Sequence, residues 1–256
     1  FPYLVGNPLL NQVFEHTRSI QTGLTTQIFQ QYALGSNVYE QTYHMRPTIQ
    51  TISYLQNFDI PLLDPDWGKR LLNLYQRGEI ALAAFTARPS ALSAANHNGN
   101  LSYSPEAEMV LEKLGLSDIP LVGYGQVVYL ADQFGMPPES FVKPSPVQAL
   151  GAIAAAINHR PQESMDWAYD FFTGKNLNFL DAFQNLDIHV FEDSSGGIQA
   201  VQQASQMIQG YGRQVSVHSW GIATNPDKVA RLTDFGAHVV PSVNDAIPLA
   251  IHESLG

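Results

Sequence analysis

Short apolar runs that alternate with helical segments constrain the fold of this chain more than any other feature. From about residue 66 onward, runs such as 80–85 and 188–191 are continuous in apolar residues, and segments with helical spacing separate them. Strands that are buried on both faces of a parallel sheet have this pattern, and a helix normally joins each strand to the next. We therefore predict an α/β fold with a doubly wound parallel sheet. The predicted strands are 80–85, 119–122, 188–191, 215–217 and 239–240, and the predicted helices are 66–76, 104–114, 126–134, 146–157, 165–183, 198–207 and 226–235.

The first 65 residues differ from the rest of the chain in composition and in the spacing of their apolar residues. They are rich in Gln, Thr, Tyr and Asn, and their apolar residues show helical spacing, as in Ile28, Phe29 and Tyr32 and again in Ile49 and Ile52. Residues 1–5 give a weak strand signal, and no other run in this region has the character of a buried strand. The pattern predicts a mostly helical region that precedes the α/β part of the chain.

Composition excludes several classes of protein. The 13 Lys and Arg residues are outnumbered by 23 Asp and Glu residues, which argues against a surface that binds nucleic acid. The absence of cysteine excludes disulfides, thiolate metal sites and a cysteine nucleophile. No run reaches the roughly 18 apolar residues of a membrane span, and the first residues lack the pattern of a signal peptide. We therefore expect a cytoplasmic protein that binds neither nucleic acid nor membranes.

Polar groups follow three of the apolar segments, directly or in the adjoining loop. They are Thr86, Ala87 and Arg88 after the run 80–85, Lys143 after the segment that ends at residue 142, and Glu192 and Asp193 after the run 188–191. Ligands of an open parallel sheet bind at the carboxyl ends of its strands. Hydroxyl, backbone amide and ammonium groups bind phosphoryl oxygens, and carboxylate oxygens bind Mg²⁺. The set therefore predicts a phosphate site beside a divalent metal ion.

Each of these residues also has a purely structural interpretation. Thr86 could cap a helix or stabilise a turn, and Lys143 could be a solvated lysine on a turn. Glu192 and Asp193 could cap the helix that follows them, although carboxylates at the end of a buried strand cost free energy unless they are paired. The order of the whole set along the chain favours the phosphate site over these separate interpretations.

Three segments resemble motifs of the haloacid dehalogenase (HAD) superfamily. They are ALAAFTARPS at 81–90, FVKPSP at 141–146 and VFEDSSGGIQA at 190–200, of which the last is the most specific and is typical of the β-phosphoglucomutase-like branch. The resemblance covers about residues 66–251. It implies a HAD-like Rossmannoid core over residues 66–256, with an N-terminal α-helical cap formed by residues 1–65.

The resemblance also implies an activity and a role for each motif residue. By this resemblance Thr86 and Lys143 are catalytic residues, and Glu192 and Asp193 hold Mg²⁺. The residues implied to bind the phosphoryl group are Thr86, Ala87, Arg88 and Lys143. The implied reaction is Mg²⁺-dependent hydrolysis of a small phosphate monoester through an aspartyl-phosphate. The implied partner is therefore a small phosphorylated metabolite.

One motif of the family is missing where it is expected. The nucleophile of the family belongs to an Asp-x-Asp motif at the end of the first strand, and no such motif precedes the helical region. The sequence Asp64-Pro65-Asp66 is instead expected to cap the helix 66–76. Two explanations remain: the nucleophile belongs to a segment before Phe1, or the chain is a catalytically inactive HAD-like binding protein. A third possibility is an unrelated doubly wound domain that binds another anionic ligand.

The histidines do not suggest a metal site in the sequence. The chain has eight of them, and none shows a close spacing such as His-Glu-x-x-His. A zinc site is therefore not expected from the sequence.

Overall fold

The computed structural model of the chain describes residues 8–14, 16, 19–92 and 103–255. These residues form a mixed fold of α-helices and short parallel strands. The strands are β1 (Ala84–Phe85), β2 (Leu121–Val122), β3 (Asn185–Glu192), β4 (Gln214–Ile222) and β5 (His238–Val240). The helices are α1 (Pro8–Phe14), α2 (Leu24–Leu34), α3 (Ser36–Tyr43), α4 (Tyr54–Asn57), α5 (Pro65–Gln76), α6 (Glu106–Lys113), α7 (Tyr124–Phe134), α8 (Pro146–Asn158), α9 (Pro161–Phe172), α10 (Ser195–Gly210), α11 (Pro226–Asp234) and α12 (Val243–Leu255). Two 3₁₀ helices cover Pro138–Ser140 and Asn178–Ala182. Within the described residues, no helix combines the length and the apolar character needed to cross a membrane.

The chain divides into two compact units. The first unit consists of Phe1–Ile60 and Arg88–Lys113, and the second consists of Pro61–Ala87 and Leu114–Gly256. The described secondary structure of the first unit is helical, and α2, α3, α4 and α6 enclose a small core that includes Leu34, Tyr39 and Met109. All of the described strands belong to the second unit. The predicted strand at residues 1–5 lies outside the described residues.

Helical spacing predicted a helix around Ile49 and Ile52, and this prediction is wrong. Residues 44–53 are irregular, because side chains of the preceding helices bind their backbone amides. The Gln31 side-chain oxygen accepts hydrogen bonds from the backbone N–H groups of Thr48 (2.8 Å) and Ile49 (3.0 Å). Buried polar side chains thus replace the internal hydrogen bonds that a helix would supply.

The strands are parallel, as predicted, and the structure pairs them in two small sheets. β1 pairs with β2, and β3, β4 and β5 form a three-stranded sheet in that order. β1 covers only the last two residues of the predicted run 80–85, and its ladder consists of bonds from the Ala84 and Thr86 N–H groups to the Pro120 and Val122 carbonyls. β3 and β4 are longer than predicted, since β3 begins three residues before its predicted run and β4 continues five residues beyond its own.

The two faces of the three-stranded sheet are packed differently. Leu186, Ile188 and Val190 face the main core, where α10 covers the strand. The alternate residues of β3 and β4 face the other side, where α12 packs against a cluster that includes Trp220. Side chains alternate along a strand, so each face takes every second residue.

Asp64, rather than Asp66, caps α5. Its carboxylate accepts a hydrogen bond from the Asp66 N–H (2.8 Å), and Pro65 occupies the first helical position. Asp66 lies in the first turn, where it pairs with Lys69. The Asp-x-Asp sequence is therefore a helix start, as expected, in which Asp64 is the capping residue.

Candidate functional site

Lys143 lies where β1 and β3 end. Its ammonium donates to Glu192 Oε1 at 2.5 Å and stands 5.0 Å from the centre of the Phe85 ring. Only 18% of the Lys143 side chain and 6% of the Glu192 side chain are exposed. The structure thus brings the ends of two strands and the loop before α8 to one point, where an ammonium and a carboxylate are shielded from water.

Gln148 joins Thr86 to Lys143. This fully buried side chain donates to the Thr86 carbonyl (2.8 Å) and to the Val122 carbonyl (3.2 Å), and its oxygen accepts from the Lys143 N–H (3.2 Å). Gln148 lies in the first turn of α8, which Ser145 caps. Sequence reasoning missed Gln148, because a single glutamine in a helix carries no signal until its three partners are known.

Glu192 does not cap α10, so the capping interpretation of this residue is wrong. The helix begins at Ser195 after the N-cap Ser194, whose hydroxyl donates to Glu192 Oε2 (3.2 Å). The Glu192 side chain instead lies against Gly197 in the first turn, where a Cβ atom would overlap its carboxyl group. A glycine at position 197 therefore makes room for the buried carboxylate.

Asp193 is exposed and forms a different ion pair. Its carboxylate accepts from the Lys228 ammonium of α11 at 2.8 Å, with 68% of the Asp193 side chain and 50% of the Lys228 side chain exposed. Each of the two carboxylates that follow β3 is thus paired with one lysine of the second unit. The pairs differ in burial, and their free energies should differ accordingly.

The oxygen atoms at the end of β3 are of the type that Mg²⁺ prefers. Glu192 and Asp193 supply carboxylates, and Ser194 supplies a hydroxyl beside Glu192. Hard oxygen donors and very few protein ligands are the usual environment of this ion. These oxygen types suit a magnesium ion, and Lys143 and Lys228 are the cations that neutralise the two carboxylates in this structure. Binding of Mg²⁺ here stays a prediction.

The remaining predicted site residues divide between the two units. Ala87 is exposed at the end of the segment that follows β1, and Thr86 donates its N–H to the Val122 carbonyl. Arg88 belongs to the first unit, where its guanidinium lies 3.6 Å from Glu106 Oε2. Contact of Ala87 and Arg88 with a phosphoryl group stays a prediction.

The first unit contains two buried carboxyl groups on α6. Glu106 accepts a hydrogen bond from the Gln30 amide, and burial raises the pKa of its carboxyl. Glu108 accepts from the Ala91 N–H (3.0 Å), and burial raises the pKa of Glu108 from 4.5 to about 7. Its second oxygen is buried and makes no hydrogen bond with the described residues. The charged form of Glu108 is therefore disfavoured in the folded state.

Replacing Glu108 by glutamine should stabilise the first unit at neutral pH. Between pH 4.5 and about 7 the folded state holds a proton that the unfolded state has released, so stability falls as the pH rises through this range. We expect Glu108→Gln to be more stable than the unaltered chain by about 1–2 kcal/mol at pH 8 and nearly equal to it at pH 4.5. Urea unfolding followed by circular dichroism at both pH values measures this difference.

The exposed Glu112 on the same helix provides the control for this prediction. Glu112→Gln should change stability by less than about 0.5 kcal/mol at either pH. An equal effect of Glu108→Gln at pH 4.5 and pH 8 would contradict the prediction, because a loss of charge could then not be the cause.

Comparisons with protein-family models, with curated proteins and with solved structures find no match to this chain.

Proposed function

We propose that this chain is the HAD-like part of a Mg²⁺-dependent phosphohydrolase that acts on a small phosphate monoester, on a doubly wound core with a helical cap. The convergence of Thr86, Lys143 and Glu192 carries this proposal. These residues are far apart in the sequence, and contacts of Lys143 and Gln148 gather them at the carboxyl ends of β1 and β3. In parallel sheets, ligands bind at the carboxyl ends of the strands.

The residues of the site suit the charge changes of phosphoryl transfer. The Thr86 hydroxyl and the amide of Ala87 would bind phosphoryl oxygens at the end of β1. The Lys143 ammonium would neutralise the negative charge of the phosphoryl group and of the nucleophile, as such reactions require positioning and electrostatic stabilisation. Gln148 would hold the Thr86 loop and the Lys143 backbone at a fixed separation.

Glu192 and Asp193 would hold the magnesium ion in this proposal. When bound, Mg²⁺ would supply positive charge to the phosphoryl oxygens. Glu192 would share its carboxylate between the ion and Lys143, and Asp193 would have to leave Lys228. The exposed Asp193–Lys228 pair is weak, so its replacement costs little.

The proposed reaction needs an aspartate nucleophile, which the motifs of this chain do not supply. Its carboxylate would attack phosphorus, the ester P–O bond would break, and the alcohol would leave with a proton from a general acid. Water would then hydrolyse the aspartyl-phosphate to free phosphate and restore the carboxylate. Three carboxylates of the described residues have structural roles instead. Glu192 forms an ion pair with Lys143, Asp64 caps α5, and Asp66 lies in the first turn of that helix.

One observation favours the alternative of a catalytically inactive binding protein. Lys143 and Glu192 neutralise each other, and so do Lys228 and Asp193, within the chain itself. Because each carboxylate already has a lysine partner, the charges at this place are balanced without a ligand. A protein that used this edge only to bind an anion, or only to stabilise the fold, would need nothing further.

Magnesium-dependent hydrolysis of p-nitrophenyl phosphate by the full-length gene product tests the proposed function. We expect activity that requires Mg²⁺ and falls about 100-fold or more in Asp193→Asn and in Lys143→Met, since each variant removes charge from the site. Asp234→Asn and Lys69→Met change exposed residues of the same types in the second unit and should retain full activity.

Two outcomes would decide against the enzyme. Activity that survives in both site variants would show that another site carries out the hydrolysis. Absence of activity in a folded full-length protein that Mg²⁺ does not stabilise would instead favour the inactive binding protein.

A further inference from the structure

A cluster of titratable side chains lies on the face of the sheet opposite the main core. Asp187 and His189 of β3 share a face with His218 of β4, because His189 and His218 are paired in the ladder. One ligand atom of each residue lies within 4.8 Å of the ligand atoms of the other two. Asp187 Oδ1 is 3.0 Å from His218 Nε2, and Asp187 Oδ2 is 3.5 Å from His189 Nε2.

We infer that Asp187, His189 and His218 form a site for Zn²⁺ or a similar imidazole-binding transition metal ion. Two imidazoles and one carboxylate form a ligand set that suits such ions and does not suit Mg²⁺ or Ca²⁺. With zinc–ligand bonds of about 2.0–2.2 Å, neighbouring ligand atoms of a tetrahedral site are about 3.3–3.5 Å apart. The two distances from Asp187 are close to this spacing.

Glu253 of α12 would orient His218 towards a metal ion. Its carboxylate lies 3.2 Å from His218 Nδ1, so that the Nδ1–H group donates to Glu253, and Nε2 lies 3.0 Å from Asp187 Oδ1 and would give up its proton when the ion binds. Metal-binding histidines commonly donate their second N–H group to a carboxylate in this way. The last turn of α12 thus prepares one ligand from outside the sheet.

The Nδ1 atom of His189 has a different hydrogen-bond partner from that of His218. This difference predicts how metal binding responds to mutation. The indole of Trp220 can only donate, and it donates to His189 Nδ1 at 3.1 Å, which places the proton of the neutral ring on Nε2. To bind the ion through Nε2, His189 must give up the hydrogen bond from Trp220 and move its proton.

The two imidazole rings must also turn towards a common point. They are stacked with their centres 4.5 Å apart and their planes 6° from parallel. The ring nitrogens of the two residues therefore lie in nearly parallel planes, and a rotation of both rings is part of the binding step. Asp187 and His218 are partly exposed, so the ion can reach the cluster from solvent.

This metal site is separate from the proposed magnesium site. Glu192 lies at the carboxyl end of β3 and faces the main core, whereas His189 lies three residues earlier on the opposite face. Neither site requires the other. The zinc site can therefore be tested on the 256-residue chain without phosphatase activity.

The first experiment is a competition titration of the metal-free chain with Zn²⁺ in the presence of a chromogenic chelator. We expect one zinc ion per chain, and we expect His218→Ala and His189→Ala each to weaken binding by at least about tenfold. Co²⁺ should give the intense visible absorption of a four-coordinate site. His252→Ala, an exposed histidine on α12, is the matched control and should leave the affinity unchanged.

Two further variants separate a metal site from a network that binds only protons. Glu253→Gln should weaken binding about tenfold, because the support of His218 is reduced. Trp220→Phe should strengthen binding about three- to tenfold, because His189 no longer has to give up a hydrogen bond. Circular dichroism and thermal melting establish that each variant is folded.

Some outcomes would overturn the inference. Zinc binding that His218→Ala and His252→Ala reduce equally would show scattered surface binding, and no stoichiometric binding by the unaltered chain would show a network for protons alone. The loss of binding in Glu253→Gln without any gain in Trp220→Phe would contradict the proposed role of His189 as a ligand.

Discussion

Lys143→Met is expected to destabilise the second unit by about 3 kcal/mol at neutral pH, because it leaves the Glu192 carboxylate buried without its cation. Glu192 is 7% exposed, and its carboxylate forms an ion pair with the Lys143 ammonium. Methionine keeps the length and the apolar stem of the lysine while it removes the charge. The unpaired carboxylate would then keep the hydrogen bond from the Ser194 hydroxyl.

Urea unfolding followed by tryptophan fluorescence measures this loss. Trp67, Trp167 and Trp220 all lie in the second unit, so their emission reports on the unit that contains Lys143. The double variant Lys143→Met with Glu192→Gln should recover to within about 1 kcal/mol of the unaltered chain, since both charges are then absent. The coupling between the two residues is obtained directly from this double-mutant cycle.

The Lys228–Asp193 pair is the matched control for burial. It is also a lysine–carboxylate pair at the end of β3, but both side chains are at least half exposed. Lys228→Met should therefore cost less than about 1 kcal/mol. If Lys143→Met and Lys228→Met had the same effect, burial of the Lys143–Glu192 pair would not be the source of its free energy.

The sequence was sufficient to predict the alternation of strands and helices and the position of the carboxylates at the end of β3. Apolar runs bounded by polar residues have one stable arrangement in such a fold, namely a parallel strand with helices packed against it. Lys143 and Glu192, which the sequence assigned to one phosphate and metal site, form an ion pair, although Lys143 lies in a loop and not at the end of a strand. The division of the strands into two small sheets was not predicted.

The features that the sequence did not predict depend on contacts between residues that are distant in the sequence. Gln31 converts an apparently helical segment into an irregular one by binding the N–H groups of Thr48 and Ile49, and local periodicity contains no trace of that contact. Gln148 acts through three partners from separate segments. His189 and His218 are brought together only by the register of β3 and β4, so a search for closely spaced ligands along the sequence passes over them.

Gly197→Ala should have a large effect through the Glu192 carboxylate, although alanine is the better helix former. A Cβ atom at position 197 would overlap the Glu192 carboxyl group, so that this group must leave its place against α10 and with it the ammonium of Lys143. The side chain is flexible, but its displacement breaks a buried ion pair. We expect a loss of about 2–3 kcal/mol by urea unfolding, together with a loss of Mg²⁺-dependent activity in the full-length protein.

Gly196→Ala is the control that isolates this contact, because it changes the neighbouring glycine of the same helical turn. A Cβ atom at position 196 would meet nothing within 4 Å, and the substitution should be neutral or stabilising by up to about 1 kcal/mol. Combining Gly197→Ala with Glu192→Ala should add little to the loss caused by Glu192→Ala alone, since the overlapping carboxyl group is then absent. Additive losses in this pair would show that alanine at position 197 disturbs the helix itself. In that case the glycine would serve the packing of α10 rather than the placement of the carboxylate.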